Sequence, residues 1–334
     1  MNLFVSIPKN SPVMETFLPA DVKAYLESRF EVEYSALDRQ LSEAEFSRAV
    51  KGFDAVMTGW GHPSITGEML ASSRVKLIAH TGGSVGSLIG AGVYESGVRV
   101  ISGNLLYAES VAEGVIAYML TGLRRIPRYV NEIKNGGWQG EEAYSEGLLD
   151  QTVGIVGLGT ISKILIGLLR QFRVSVKIYS SHKIDETFLH QNNAVQASLE
   201  EIFSTCRIVS VHSAMNEKTR GMIGKELFDL LQDGALFLNT ARGAVIREDE
   251  MVGALREGRF SAVLDVYCTE PLPQESELRH LDNVYCMPHM AGPTIDRRPY
   301  ITKKLADAIQ QFAAGENPEL EIGQEAAKRM TVGG

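Results

Sequence analysis

Along the chain, short Val/Ile-rich runs alternate with longer amphipathic stretches almost from end to end. The first runs are Leu3–Ile7, Ala55–Thr58, Val75–His80 and Val98–Ile101. A second set follows at Thr152–Val156, Val174–Tyr179, Ile208–Val211, Ala235–Leu238, Ala262–Val266 and Val284–Met287. Few of them alternate strictly, as befits strands buried on both faces of a parallel sheet. Between them, apolar residues recur at helical spacing in Ser110–Arg124, Ile161–Phe172, Leu199–Phe203, Lys225–Leu231 and Glu248–Glu257. This alternation predicts an α/β fold of doubly wound parallel sheets with right-handed crossovers. A long helix over about Ala108–Arg125 and a Gly-rich stretch at Asn135–Trp138 separate the two sets. A last helix, about Thr294–Ala314, follows the second set, and the polar tail from Gly315 reads as loosely held.

Composition narrows the class. With 334 residues, 44% of them hydrophobic and 22% charged, the chain is long enough for two domains, each with its own core. That excludes disorder and low-complexity architectures. A net charge of -8 argues against a nucleic-acid partner held by phosphate neutralisation. Cys206, Cys268 and Cys286 are odd in number and never in C-x-x-C spacing, so they read as small core residues of a reducing compartment. No apolar run is long enough for a membrane span, and Met1–Pro8 lacks a basic leader and reads as a first strand. A cytoplasmic protein is expected, with no metal, because no plausible ligand cluster is spaced for one.

Candidate chemistry begins at Val153-Gly154-Ile155-Val156-Gly157-Leu158-Gly159-Thr160-Ile161-Ser162, which ends a strand and opens a helix. Gly157 would make the tight turn, and Gly159 would let backbone N–H groups approach a pyrophosphate. The third fingerprint glycine is replaced by Ser162, small enough to pack but less comfortable there. At the end of the next strand, where an acid holds the ribose hydroxyls of NAD, stands Ser180 in Tyr179-Ser180-Ser181-His182-Lys183. Losing the carboxylate removes repulsion against a 2′-phosphate, which His182 and Lys183 can contact. The same residues also fit a solvated loop beside NAD, so NAD and NADP both stay open.

Three further residues follow strand ends: Arg242 in Asn239-Thr240-Ala241-Arg242-Gly243, Glu270 in Asp265-Val266-Tyr267-Cys268-Thr269-Glu270-Pro271, and His289 in Pro288-His289. Singly, each has a plain structural explanation. Together with the Gly-rich turn, Val209-Ser210-Val211-His212, Thr219-Arg220-Gly221 and Ala108-Glu109-Ser110-Val111-Ala112-Glu113, they occur in an order that resembles the D-isomer-specific 2-hydroxyacid dehydrogenases.

The resemblance implies two Rossmann-like or flavodoxin-like domains with a cleft between them. The substrate domain would be discontinuous, 1–101 with 291–334, around a nucleotide domain at 102–290. With only a short stretch after the last helix, no appended regulatory domain is expected. It implies interconversion of a small 2-keto acid and its D-2-hydroxy acid with NAD or NADP. His289 would be the acid/base, Glu270 would favour the imidazolium and orient the ring, and Arg242 would clamp carboxylate and carbonyl. Cofactor contacts would come from Gly157, Gly159, Thr160, Ile161, Ser180, Ser181, His182, His212, Thr240 and Asp265. The turn His80-Thr81-Gly82-Gly83-Ser84 would offer backbone amides to the substrate, with Gly83 and Ser84 as donors.

Thr58-Gly59-Trp60 stands where phosphoglycerate-type relatives carry an arginine. That disfavours a phosphorylated substrate and leaves Trp60 either as a pocket wall or as packing. Glyoxylate and hydroxypyruvate are the leading substrates. A cofactor-sensing, corepressor-like binding protein and a phosphoglycerate-type enzyme are the alternatives. A homodimer is expected, and the apolar Ser110–Arg124 helix fits either its interface or the internal core.

Overall fold

The apolar runs form two all-parallel sheets in the computed structural model, which describes residues 1–138 and 145–330. The chain divides into two units, Met1–Ala108 with Pro293–Gly334, and Glu109–Gly292.

The first unit holds β1 (Asn2–Ser6), β2 (Glu31–Tyr34), β3 (Ala55–Thr58), β4 (Leu77–His80) and β5 (Arg99–Ser102), in the order β2-β1-β3-β4-β5. Every residue of β3 and β4 is buried, which is why both read as unbroken apolar runs. Strand β2 carries no such run. It is an edge strand whose Glu31 and Glu33 face solvent, and its alternation is too short and charged to stand out.

Side chains alternate across the sheet. Leu3, Val5 and Met57 pack on one face with Ile301, Leu305 and Ile309, while Phe4, Val56 and Ile78 pack on the other with Phe46. The register aligns Ser6, Thr58, His80 and Ser102 across four strands at their carboxyl ends. The tail is better anchored than its polarity suggested. The Ile322 amide bonds to Val100 O (2.8 Å), Leu320 is buried, Glu321 pairs with Arg99, and a short helix, Gln324–Lys328, follows.

The second unit holds β6 (Thr152–Val156), β7 (Ser175–Tyr179), β8 (Ala194–Gln196), β9 (Ile208–Val211), β10 (Leu236–Asn239), β11 (Ser261–Leu264) and β12 (Val284–Cys286). Their order, β12-β11-β10-β9-β6-β7-β8, reverses direction between β6 and β9, the switch point at which such sheets bind ligands.

Helix α1 (Asn104–Leu123) is mostly apolar and largely covered, with one exposed stripe at Leu105, Glu109, Glu113 and Ala117. Its Ala112, Val115 and Met119 pack with Val153, Ile155 and Leu236, which puts that face in the core of the second unit. Arg125, at φ +51°, ends the run, and α2 (Ile126–Lys134) starts with a proline in its first turn. Helix α2 buries nothing, and Ile126, Val130 and Ile133 are 46%, 45% and 52% exposed along one side.

Of the three cysteines, all unpaired, Cys206 is buried as expected, but Cys286 is only half-buried and Cys268 is exposed. Among the described residues no helix is long and apolar enough to cross a membrane, and no cluster of His, Cys, Asp or Glu could hold a metal.

Candidate active site

In the second unit, β6 delivers the chain into Gly157 at φ +103°, where a Cβ would lie 2.8 Å from the Ser213 amide nitrogen. Only glycine fits. Gly159 then opens α3 (Thr160–Leu169) with no side-chain cap, and nothing stands within 4 Å of where its Cβ would be. The first amides of a helix are thus offered to an anion in open space. Ser162 improves the turn rather than disturbing it, because its hydroxyl donates to Gly157 O at 2.6 Å from a fully buried position.

Beyond β7, the Ser180 hydroxyl accepts from the His182 amide (3.2 Å), and the Gln196 amide group ties down the carbonyls of Ser180 and His182. Ser181 and His182 are exposed, and Lys183 pairs with Glu186 at 3.1 Å. The ring of His212 meets Ser210 Oγ at 2.8 Å, and desolvation pushes its pKa down to about 4, so it is neutral. Past the end of the neighbouring strand β10, the buried Thr240 hydroxyl has no partner among the described residues. An open helix N-terminus, an obligatory glycine and an orphaned buried hydroxyl at the switch point together fit a dinucleotide.

Arg242, Glu270 and His289 follow β10, β11 and β12 in turn. Asn239 holds the first loop by accepting from the Ala241 amide (3.0 Å) and donating to Arg242 O (3.1 Å). Gly243 packs so closely on the next loop that a Cβ would stand 1.9 Å from the carbonyl carbon of Tyr267. Arg242 donates from Nη1 to Ala241 O (2.7 Å), its buried Nε has no partner, and among the described residues no carboxylate forms an ion pair with it. Burial pulls its pKa down while the charge of Glu270 pushes the other way, and arginine stays a cation under both.

The carboxylate of Glu270 is used at both oxygens. Oε1 accepts from the Tyr267 amide (3.0 Å), and Oε2 meets His289 Nδ1 at 2.7 Å. Both side chains keep access to solvent, 48% for His289 and 35% for Glu270. His289 lies at φ +51°, a left-handed backbone that costs an L-residue roughly 1–2 kcal/mol. Asp265 offsets this. Only 1% exposed, it accepts from the amides of Met290 (2.8 Å) and Ala291 (2.9 Å) and from Tyr118 Oη (3.0 Å). The residue expected to touch the cofactor therefore anchors the histidine loop.

In the first unit, the aligned strand ends support the Gly82–Gly83 turn. Thr58 Oγ1 bonds His80 Nδ1 (2.9 Å), Ser6 Oγ bonds His62 Nε2 (3.0 Å), and Ser102 Oγ donates to Gly83 O (3.1 Å). Ser84 Oγ accepts from the Gly86 amide at 3.3 Å. Trp60 packs edge-on against Phe17 (5.0 Å) and Tyr107 (6.1 Å). Neither Phe17 nor Tyr107 stood out in the sequence, since neither lies in a motif.

A family model described as "D-isomer specific 2-hydroxyacid dehydrogenase, NAD binding domain" matches residues 116–291. The Bacillus subtilis protein YoaD is 34% identical over 214 residues, 61% of each chain. Human glyoxylate reductase/hydroxypyruvate reductase is 28% identical over 256 residues, 75% of this chain and 78% of that one. Three matched sequences, YoaD among them, are spanned for only 61%, 57% and 52% of their length. Among solved structures, a phosphoglycerate oxidoreductase from Rhizobium etli superposes with a TM-score of 0.79 at 22% identity, over 97% of this chain and 98% of that one. It has the same fold.

Proposed function

The chain belongs to the D-isomer specific 2-hydroxyacid dehydrogenase family, and we propose that it interconverts a small 2-keto acid and its D-2-hydroxy acid with NAD or NADP. When bound, the nicotinamide supplies the hydride to C2 of the keto acid and takes it back in reverse. The observation carrying the reading is the His289 Nδ1 to Glu270 Oε2 contact of 2.7 Å, in the same unit as an Arg242 without an acidic partner.

Because Glu270 occupies Nδ1, Nε2 is the nitrogen left to give a proton to the carbonyl oxygen and to recover it in oxidation. Glu270, held in turn by the Tyr267 amide, fixes the ring's orientation. The guanidinium of Arg242, which has no acidic partner among the described residues, holds the substrate's carboxylate and polarises its carbonyl. We assign Gly157, Gly159, Thr160 and Ile161 to the pyrophosphate, and Ser180, Ser181 and His182 to the adenine ribose. His212, Thr240 and Asp265 complete the cofactor set. From the first unit, Gly83 and Ser84 supply amides to the substrate, with Trp60 beside them. Glyoxylate and hydroxypyruvate are the leading substrates.

The test follows NADH and NADPH oxidation with glyoxylate, hydroxypyruvate, pyruvate and bulkier 2-keto acids. Tight cofactor binding without turnover of any of them overturns the reading. His289→Ala should lower kcat sharply at nearly unchanged cofactor affinity, and an unchanged kcat removes His289 from its role.

The exposed stripe Ile126, Val130 and Ile133 on α2, followed by Trp138 at 77% exposure, supports a homodimer through this helix. Light scattering that gives a monomer for the wild type, or a dimer undisturbed by Ile133→Asp, refutes it. The three unpaired cysteines support a cytoplasmic setting.

A further inference from the structure

The Trp60 loop contains no basic residue, but the fold brings one to it. Arg298, in the first turn of α4 (Arg297–Ala313), lies with its guanidinium 5.5 Å from the Trp60 ring and 5.6 Å from that of Phe17. It donates from Nη1 to Thr16 Oγ1 (3.0 Å) and from Nε to Pro293 O (3.2 Å). Both acceptors are neutral, and among the described residues no carboxylate pairs with Arg298. In a chain with an excess of acids, where Arg39, Arg99, Arg173, Arg207, Arg247 and Arg256 all have acidic partners, a half-buried arginine on aromatic rings without one calls for an explanation.

A second observation points the same way. The hydroxyl oxygen of Tyr107 is buried without a hydrogen-bond partner. Burial pushes its pKa up, while the Arg298 charge and the neighbouring Trp60 indole N–H act the other way. A phenol O–H and a guanidinium fork thus flank one indole, and both are donors seeking an acceptor.

The Gly82–Gly83 turn fixes where that acceptor would be. A Cβ on Gly82 would come 3.1 Å from Trp60 Cδ1, and one on Gly83 would come 3.3 Å from the Tyr107 ring. The turn that is to hold the substrate's carboxylate therefore rests on the same two rings, and Arg298 lies one ring further on. A substituent on C3 of a 2-keto acid held by that turn would extend along these rings, on the side that Arg298 borders.

We propose that Arg298, Tyr107 and Trp60 form a specificity subsite that selects 2-keto acids bearing an oxygen on the C3 side, a hydroxyl or a carboxylate, over those with only alkyl carbon. This rests on the reading of the family activity above. It also reverses one sequence argument: the cation missing from the Trp60 loop is supplied by α4, about 240 residues later in the chain, so an anionic far end regains its place among the substrates. A site built to hydrogen-bond a group rejects the isostere that lacks it far more strongly than an apolar wall does.

The experiment compares kcat/KM for hydroxypyruvate and its near-isostere 2-ketobutyrate, with oxaloacetate as the carboxylate arm, in wild type, Arg298→Met, Arg298→Lys and Tyr107→Phe. The preference for hydroxypyruvate over 2-ketobutyrate should fall at least about tenfold in Arg298→Met and be partly restored in Arg298→Lys. Tyr107→Phe, which removes one atom and no packing, should lower it several-fold. A larger loss for oxaloacetate than for hydroxypyruvate assigns the subsite to carboxylates, and the opposite order assigns it to hydroxyls.

Loss of both series in proportion, or a wild-type preference for 2-ketobutyrate, overturns the proposal while leaving the dehydrogenase reading intact. Absence of turnover with every keto acid overturns that reading instead. The subsite is then decided by Trp60 emission in a Trp138→Phe background, titrated with D-glycerate and D-2-hydroxybutyrate. Tighter binding of D-glycerate that is lost in Arg298→Met upholds it, and equal binding overturns it.

Discussion

Replacing Asp265 by asparagine separates an anchoring role from a purely cofactor-binding one. Oδ1 accepts from Tyr118 Oη and the Met290 amide, and Oδ2 accepts from the Ala291 amide. Asparagine has one oxygen, so its best orientation keeps the first two bonds and turns an NH2 group against the Ala291 N–H. One hydrogen bond to a charged acceptor is lost, at about 1.5–3 kcal/mol, and two donors are left facing each other in a site with almost no solvent, at roughly 1–3 kcal/mol more. Allowing for relaxation, the loss is about 3 kcal/mol.

For a cooperative unit of this size that lowers Tm by roughly 6–12 °C. The measurement is thermal unfolding of the cofactor-free protein, so that any missing cofactor contact makes no contribution. Tyr118→Phe serves as an internal scale: it removes one bond at about 1 kcal/mol, for a shift of roughly 2–4 °C. A Tm for Asp265→Asn within about 2 °C of wild type would show that the loop carrying His289 is held by something else.

Three other outcomes are expected. Gly243→Ala places a methyl against the Tyr267 carbonyl and should cost about 1–3 kcal/mol while displacing Arg242, read as a fall in both Tm and kcat; normal values for both remove the close approach from the argument. Burial depresses the pKa of His80 to about 3 and that of His212 to about 4, so the unfolded chain takes up these protons near pH 6.5 and the folded one does not. Stability should therefore fall as pH drops from about 6.5 toward 4, and a urea midpoint that is unchanged or higher at pH 5 than at pH 7 contradicts it. Ser180→Asp should weaken NADPH relative to NADH by at least about tenfold through repulsion of the 2′-phosphate, and an unchanged ratio misplaces the ribose site.

What the sequence disclosed and what it withheld divide along physical lines. Central strands such as Ala55–Thr58 and Thr152–Val156 were legible to the residue, because burial on both faces leaves no polar interruption. The edge strands Glu31–Tyr34 and Ala194–Gln196 were not, since their exposed positions break the pattern. Arg242, Glu270 and His289 were legible from the order of short motifs, each just past a strand. Arg298 and Tyr107 were not, because their importance lies in a contact between distant parts of the chain and no local spacing announces it. Asp265 was visible as a motif residue, but its bonds to the amides beyond His289 depend on the register of β11 and β12. Helix α1 read equally as interface or as internal core from its apolar surface. Periodicity alone cannot distinguish a helix covered by its own chain from one covered by another.

The strand-end row Ser6, Thr58, His80 and Ser102 bears on how this protein can change over generations. Thr58 and His80 satisfy each other across neighbouring strands, Ser6 satisfies His62, and Ser102 satisfies the carbonyl of Gly83. A single replacement in the row strands a buried partner, so drift there must proceed by paired exchanges, which are rare. The Trp60 loop and the first turn of α4 are tied instead by ring packing and by the Arg298 bonds to Thr16 and Pro293. If those segments form the proposed subsite, single mutational steps in them would shift substrate range while the row beneath them remains as it is.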